Sequence, residues 1–267
     1  MSSPNAQPHD RDAVDHAMLL ASAREWAAAD PDPTTRAELE RLVDAEDTRA
    51  LRDLVGGHLA FGTAGLRGEV GPGPNRMNRA VVIRATRGLA DHLLHRVADA
   101  RRRGVVVGFD ARPDSHRFAH DVVAVLRAAG LPVAWYPTPT PTPLVAWAAR
   151  DRDAAAAVVV TASHNPPADN GYKVYDEHGV QITPPTDAQI AAAIDAVGPA
   201  SDVPGVGDTL DADGPDLVEL GPAEVDRYLD AIEAARPHVA GDRSIPLVLT
   251  PMHGVGGAVL ALSLIHI

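Results

Sequence analysis

The sequence predicts an α/β fold in which a mixed, mostly parallel sheet is flanked by helices, followed by the start of a second α/β domain. Three observations carry this. Short β-branched runs alternate with amphipathic stretches of about a dozen residues. Glycine or proline closes most of those stretches, and the polar, glycine- and proline-rich segments fall directly after the β-branched runs.

Ahead of the alternation, residues 12–29 (DAVDHAMLLASAREWAAA) and 35–55 are expected as helices, with Thr35 and Glu38 at capping-box spacing and a stop at Gly56-Gly57. DPDP separates them, because proline cannot continue a helical ladder. Residues 1–57 then form a helical N-terminal extension. The glycine-rich segment LAFGTAGLRGEVGPGPNRMN reads as a loop leading into a long helix near 79–103, on which Val82, Leu89, Leu93 and Val97 supply an apolar stripe.

After Gly104, VVVGFD is a buried strand, RFAHDVVAVLRAAG a helix, PVAWY a strand, PLVAWAAR a short helix and AAVVV the next strand. KVYDEHGVQIT looks like a hairpin turning at Glu177-His178-Gly179, and DAQIAAAIDAV is a further helix. Residues 58–198 thus make one α/β domain, and 199–220, rich in Gly, Pro and Asp, a linker. Residues 221–267 supply a helix (PAEVDRYLDAIEAA), a strand (IPLVLT) and the loop PMHGVGG, followed by AVLALSLIHI, too little to close a second core. A fragment of a longer protein is the expectation.

Composition narrows the function. With 24 Lys+Arg against 36 Asp+Glu, a net charge of -12 argues against nucleic acid as a general partner, since phosphate neutralisation supplies most of that affinity. An anionic substrate needs a local basic site. Without cysteine there is no disulfide, thiolate metal site or cysteine nucleophile. MSSPNAQPHDRD has no apolar core of a signal peptide, and no run approaches a membrane span, so no membrane partner and a cytoplasmic location are expected. Oligomeric state is not readable.

Lys173 is the only lysine in the chain. Arginine serves wherever charge alone is needed, but it cannot give up its proton near neutral pH, whereas a lysine ammonium can be tuned to do so.

Ligand sites in open parallel sheets lie beyond the carboxyl ends of strands, where DARPDSH, TPTPTP and TASHNPPADNG sit. Ser163 in the last of these is a turn former or a reactive hydroxyl. It is followed by His164, Asn165 and two prolines that stiffen the backbone. An adjacent Ser-His pair on an extended chain points to opposite sides and the G-x-S-x-G elbow is missing, which disfavours a hydrolase. FGTAGLRG, with Thr63 and Arg67 among glycines, allows close approach to an anion, yet is neither a Walker loop nor a dinucleotide fingerprint.

Taken together, FGTAGLRG (61–68), GFDARPDS (108–115), TASHNP (161–166), NGYKVY (170–175) and TPMHGVGG (250–257) resemble the α-D-phosphohexomutase superfamily, the phosphoglucomutases and phosphomannomutases. The helical extension is most similar to the long phosphopentomutase-like branch. The resemblance implies a four-domain enzyme of which this chain covers the first domain and the opening of the second.

It also implies a phosphosugar mutase acting on a hexose or pentose phosphate, with Ser163 as the phosphoserine and a sugar bisphosphate as intermediate and activator. Lys173 would exchange a proton with the sugar hydroxyl, Arg67 would contact the phosphoryl group, and His164 would assist. Thr63, Asn165 and Asn170 would complete the phosphate-binding set. The family's Mg²⁺ is held by the phosphoserine oxygen, here that of Ser163, plus three aspartates of a D-G-D-x-D-R loop. That motif is not in this sequence, and DTLDADGPD at 208–216 precedes TPMHGVGG and reads as linker. An incomplete magnesium site and a fragment inactive by itself are the expectation; the alternative is a non-catalytic phosphosugar-binding or regulatory module.

Overall fold

The structure is a computed structural model that describes residues 8–207, 214–235, 246 and 248–265. Three helices open it: α1 (Pro8–Ala29), α2 (Pro33–Asp44) and α3 (Thr48–Val55). They share a small core of Leu20, Ala23, Ala27, Leu39, Val43, Leu51 and Leu54. The expected capping box at Thr35 is not what starts α2. Pro33 occupies the first turn, Asp32 is the cap and accepts from the Thr34 amide, and the Thr35 hydroxyl instead donates to Asp30 at 2.7 Å. The single helix expected over 35–55 is divided at Asp47, whose carboxylate caps α3 through the Ala50 amide.

A six-stranded sheet follows, in the order β1-β5-β4-β2-β3-β6. Its strands are β1 (Leu66–Glu69), β2 (Val105–Phe109), β3 (Val133–Trp135), β4 (Ala156–Val160), β5 (Asp169–Tyr175) and β6 (Leu217–Glu219). Strands β4, β2, β3 and β6 run parallel, while β5 is antiparallel to both β4 and β1, so the sheet is mixed and mostly parallel as predicted. The β-branched runs of β2 and β4 are buried on both faces, which is why they read as continuous apolar segments rather than alternating ones.

Helices α4 (Arg79–Arg96), α5 (Ala100–Arg103) and α6 (Ser115–Ala128) lie on the chain between β1 and β3. The long helix expected over 79–103 breaks at Val97, with Asp99 in a left-handed conformation starting α5. Helices α7 (Thr142–Asp151), α8 (Thr186–Asp195), α9 (Pro222–Ala235) and α10 (Gly257–Ile265) complete the described elements. One face of the sheet packs Val105, Val107, Phe109, Val158 and Val160 against α4 and α6; the other packs Val106, Ala157 and Val159 against α7.

Further expectations compare with the structure as follows. The glycine-rich segment holds a strand, β1, so Arg67 lies on a sheet edge and not in a loop. The stretch expected as linker contributes β6, which extends the sheet beside β3. The expected hairpin turns at 177–179 and returns through the bridge of Tyr175 to Gln181 and the Ile182 amide on the Val174 carbonyl, and Pro184 and Pro185, which have no amide, lie just beyond. Of the strand expected at 245–250, residues 246 and 248–250 form none, and 245 and 247 lie outside the described residues, as do 208–213 of the aspartate-rich stretch. Among the described residues no helix is long and apolar enough to cross a membrane.

Candidate active site

The site is built where β2 and β4 end side by side. The Asp110 amide donates to the Val160 carbonyl, and the Thr161 amide to the Gly171 carbonyl of β5, so the two strand ends and the start of β5 are tied together. From this junction the loop 161–168 projects.

Arg112 organises that loop. Its guanidinium donates to four carbonyls, those of Ser163 (2.9 Å), Asn165 (2.8 Å), Pro166 (2.7 Å) and Asp169 (2.9 Å), while Nε meets the Asp110 carboxylate at 3.2 Å. All five N–H groups of the fork are thereby used. Asp110 is equally saturated, accepting from the Arg112 amide, Ser115 Oγ at 2.7 Å and Thr161 Oγ1 at 2.6 Å. The Thr161 hydroxyl in turn accepts from the Ser163 amide at 2.9 Å.

This network holds Ser163 at φ +60°, a left-handed conformation that costs a serine about 1–2 kcal/mol. Ser163 and His164 are exposed at the tip. Because the chain is not extended here, the two side chains do not diverge as expected: Ser163 Oγ lies 3.4 Å from His164 Nδ1. The hydroxyl faces a cleft of about 750 Å³. DARPDSH, TPTPTP and the Ser163 loop all line it, joined by Met252, His253, Gly254 and Val255.

The other candidates divide into two groups. Asn165 donates to Asp169 Oδ2, and Asn170, fully buried, donates to the Pro113 carbonyl and to Ser115 Oγ; Asn170 therefore fastens loops to each other and does not reach the cleft. Arg67 and Lys173 lie one strand away, on β1 and β5. Gly171 lets β1 and the end of β4 close on β5: a Cβ there would meet the Thr161 carbonyl at 2.6 Å and the Arg67 side chain at 3.2 Å. Lys173 is 9% exposed. Its pKa is lowered by burial and then by the Arg67 guanidinium, with Asp110 acting in the opposite direction. Arg67 Nε is buried with no hydrogen-bond partner. Thr63 sits on the turn between Gly62 and Gly65 and gives its carbonyl to Gln181. Thr63, Arg67 and Lys173 do not line the cleft around Ser163.

Asp110, Arg112, Ser115 and Thr161 were not singled out in the sequence. The available signal was an Asp-x-Arg pair directly after a buried strand, with a threonine ending the neighbouring one.

Carboxylates do not gather at Ser163. Among the described residues no three His, Asp or Glu side chains are placed to hold a metal, and Asp110 is committed to Arg112, Ser115 and Thr161. These residues alone do not fit magnesium, which requires near-octahedral oxygen coordination.

A family model described as phosphoglucomutase/phosphomannomutase, alpha/beta/alpha domain I, matches residues 58–200, more than half of the chain. The chain belongs to the phosphoglucomutase/phosphomannomutase family. The probable phosphoribomutase of Schizosaccharomyces pombe is 44% identical over 171 residues, 64% of this chain and 29% of that protein. The phosphopentomutase of Homo sapiens is 33% identical over 196 residues, 71% of this chain and 32% of that one. A crystal structure of a "putative phosphomannomutase" from Thermus thermophilus superimposes with a TM-score of 0.53 at 30% identity, covering 67% of this chain and 36% of the other. The chain spans about a third of the length of the curated relatives it matches. Within the family's first domain, then, the Ser163 loop is the segment whose backbone carbonyls are gathered by one arginine.

Proposed function

We propose that this chain carries the phosphoryl-transfer centre of a phosphosugar mutase that moves a phosphoryl group between the 1-position and the 5- (or 6-) position of a sugar phosphate. The observation that carries the proposal is Ser163 itself: an exposed hydroxyl on a left-handed residue, pinned by Arg112 and Thr161 at the mouth of a cleft. A nucleophile used in both directions of a transfer benefits from a backbone that does not rearrange between them.

In the forward half-reaction the sugar hydroxyl oxygen attacks the phosphorus of phosphorylated Ser163. The P–Oγ bond breaks with its electron pair on Oγ, which takes a proton from His164. The sugar hydroxyl proton passes to the neutral amine of Lys173, which requires the sugar to extend from the Ser163 cleft to β5. The bisphosphate reorients and the steps reverse at its other end: His164 recovers the Oγ proton, and Lys173 protonates the leaving sugar oxygen. A depressed Lys173 pKa favours the neutral amine this requires. Arg67, with an unused buried Nε, supplies charge for the transferring group. A sugar bisphosphate loads Ser163 for the first cycle. The phosphoribomutase and phosphopentomutase names of the relatives support a pentose phosphate as substrate.

The test is loading of the hydroxyl. Because turnover is not expected of the 267-residue chain by itself, only the loading step is read: incubation with ribose 1,5-bisphosphate, followed by intact-mass and peptide analysis, should show one added phosphoryl group on the peptide containing Ser163 and none in Ser163→Ala. Phosphate elsewhere, or equal labelling of the alanine variant, removes Ser163 from the mechanism.

A further inference from the structure

A second basic site lies away from the cleft, at the seam between the helical layer and α4. Among the described residues two arginine Nε atoms are buried without a hydrogen-bond partner, and they belong to Arg67 and Arg84. Arg67 is part of the candidate active site. Arg84 is not: it stands on α4 with its guanidinium carbon 5.9 Å from the centre of the Trp26 ring of α1.

The surroundings of Arg84 are unusual for this protein. Arg79, Arg103, Arg112, Arg127 and Arg152 are partly or fully buried as well, and each is paired with a carboxylate. No ion pair involves Arg84 among the described residues, and its one hydrogen bond runs from Nη2 to the Val197 carbonyl at 3.0 Å. The indole N–H of Trp26 is also buried and unpartnered. A buried donor without an acceptor costs stability, and Trp135 Nε1 and the Tyr136 hydroxyl are likewise buried without a partner; Arg84 and Trp26 are set apart because they also line open clefts.

Space is available on both sides of this pair. Two clefts, of about 370 Å³ and about 510 Å³, share Trp26, Val55, Pro74 and Arg84 as lining. Both are within the range of small-molecule sites. Their walls are otherwise largely apolar, and the acidic residues that reach them, Glu25 in one and Asp195 in the other, are exposed and make no ion pair with Arg84. The larger cleft is bounded by residues 56–61, the segment that leads directly into the turn carrying Thr63 and the strand carrying Arg67.

We infer that the Arg84–Trp26 seam is a binding site for a small organic oxyanion, a phosphate ester or carboxylate joined to a flat apolar group, with the anion on Arg84 and the apolar group against Trp26, Val55 and Pro74. Guanidinium-to-oxyanion pairing gives the polar contact, and the ring face of Trp26 supplies the platform.

Phenyl phosphate is a suitable probe. The three tryptophans give three indole signals in a ¹H–¹⁵N spectrum, and Trp26→Phe identifies the one that matters. Titration of the full chain should shift the Trp26 signal saturably, equally well in Ser163→Ala, and at least tenfold more weakly in Arg84→Gln. Arg84→Lys, which keeps the charge, should recover part of the affinity, and thermal melts of both variants confirm that they fold. Inorganic phosphate and phenol, each used alone, should bind more weakly than phenyl phosphate. An unmoved Trp26 signal in the wild type, undiminished binding in Arg84→Gln, loss of binding in Ser163→Ala, or equal binding of phenol would each overturn the assignment.

Discussion

At the scale of single residues, the chemistry depends on how two cations on neighbouring strands, Arg67 on β1 and Lys173 on β5, treat each other. Lys173 is penalised as a cation by burial and by Arg67, so its pKa lies below the ordinary lysine value. The sign follows directly: the folded state binds this proton less tightly than the unfolded chain, so stability rises with pH between the folded and unfolded pKa values, and the penalty is fully present below the former. Because Lys173 is the only lysine, ¹³C-lysine labelling gives a single side-chain signal to titrate. Its midpoint should fall below 10.5 in the wild type and rise in Arg67→Gln, which removes the neighbouring positive charge. A midpoint unmoved by that substitution would dissociate Arg67 from Lys173.

What the sequence revealed at this scale was the reactive vocabulary, not its support. Ser163, His164 and Lys173 stand out because of residue type, prolines and rarity. Arg112 does not, because its function lies in four backbone carbonyls spread over residues 163–169, and a contact to backbone leaves no trace in the identity of the residue that accepts it.

At the scale of elements, the fold was legible wherever burial dictates composition. β2 and β4 each carry a run of three valines and are apolar throughout, and α9 fills the segment 222–235 expected for it. The short edge strands were not legible, since LRGE of β1 and LVE of β6 are held by pairing with β5 and β3 more than by any propensity of their own. β1 depends on Gly65, at φ +73°, where a Cβ would sit 1.9 Å from the Tyr172 carbonyl oxygen of β5. Gly65→Ala should therefore cost more than about 2 kcal/mol in denaturant unfolding, and amide exchange in β1 should accelerate before that in β4. Unchanged stability would mean that β1 is placed by something other than this turn.

For the molecule as a whole, the issue is how the helical layer stays on the sheet. Asp32 both caps α2 and forms an ion pair with Arg117 of α6. Trp26 packs beside Ala80, Ile83 and Val203 on the same side. Asp32→Ala should cost about 1–2 kcal/mol, mostly from the lost cap, while Asp32→Asn keeps the cap and should cost less. Thermal unfolding of the two variants separates the contributions; equal losses would place the weight on the ion pair. The net charge of -12 says nothing of this organisation, since it does not tell which cation meets which carboxylate.

The enclosure of the lone lysine also has a practical use. To acylating reagents this chain offers one ε-amine, and that amine is tucked inside a sheet. Acylation at Lys173 should therefore be slow in the folded chain and accelerate on unfolding, so the modification of one residue reports how tightly β5 is held.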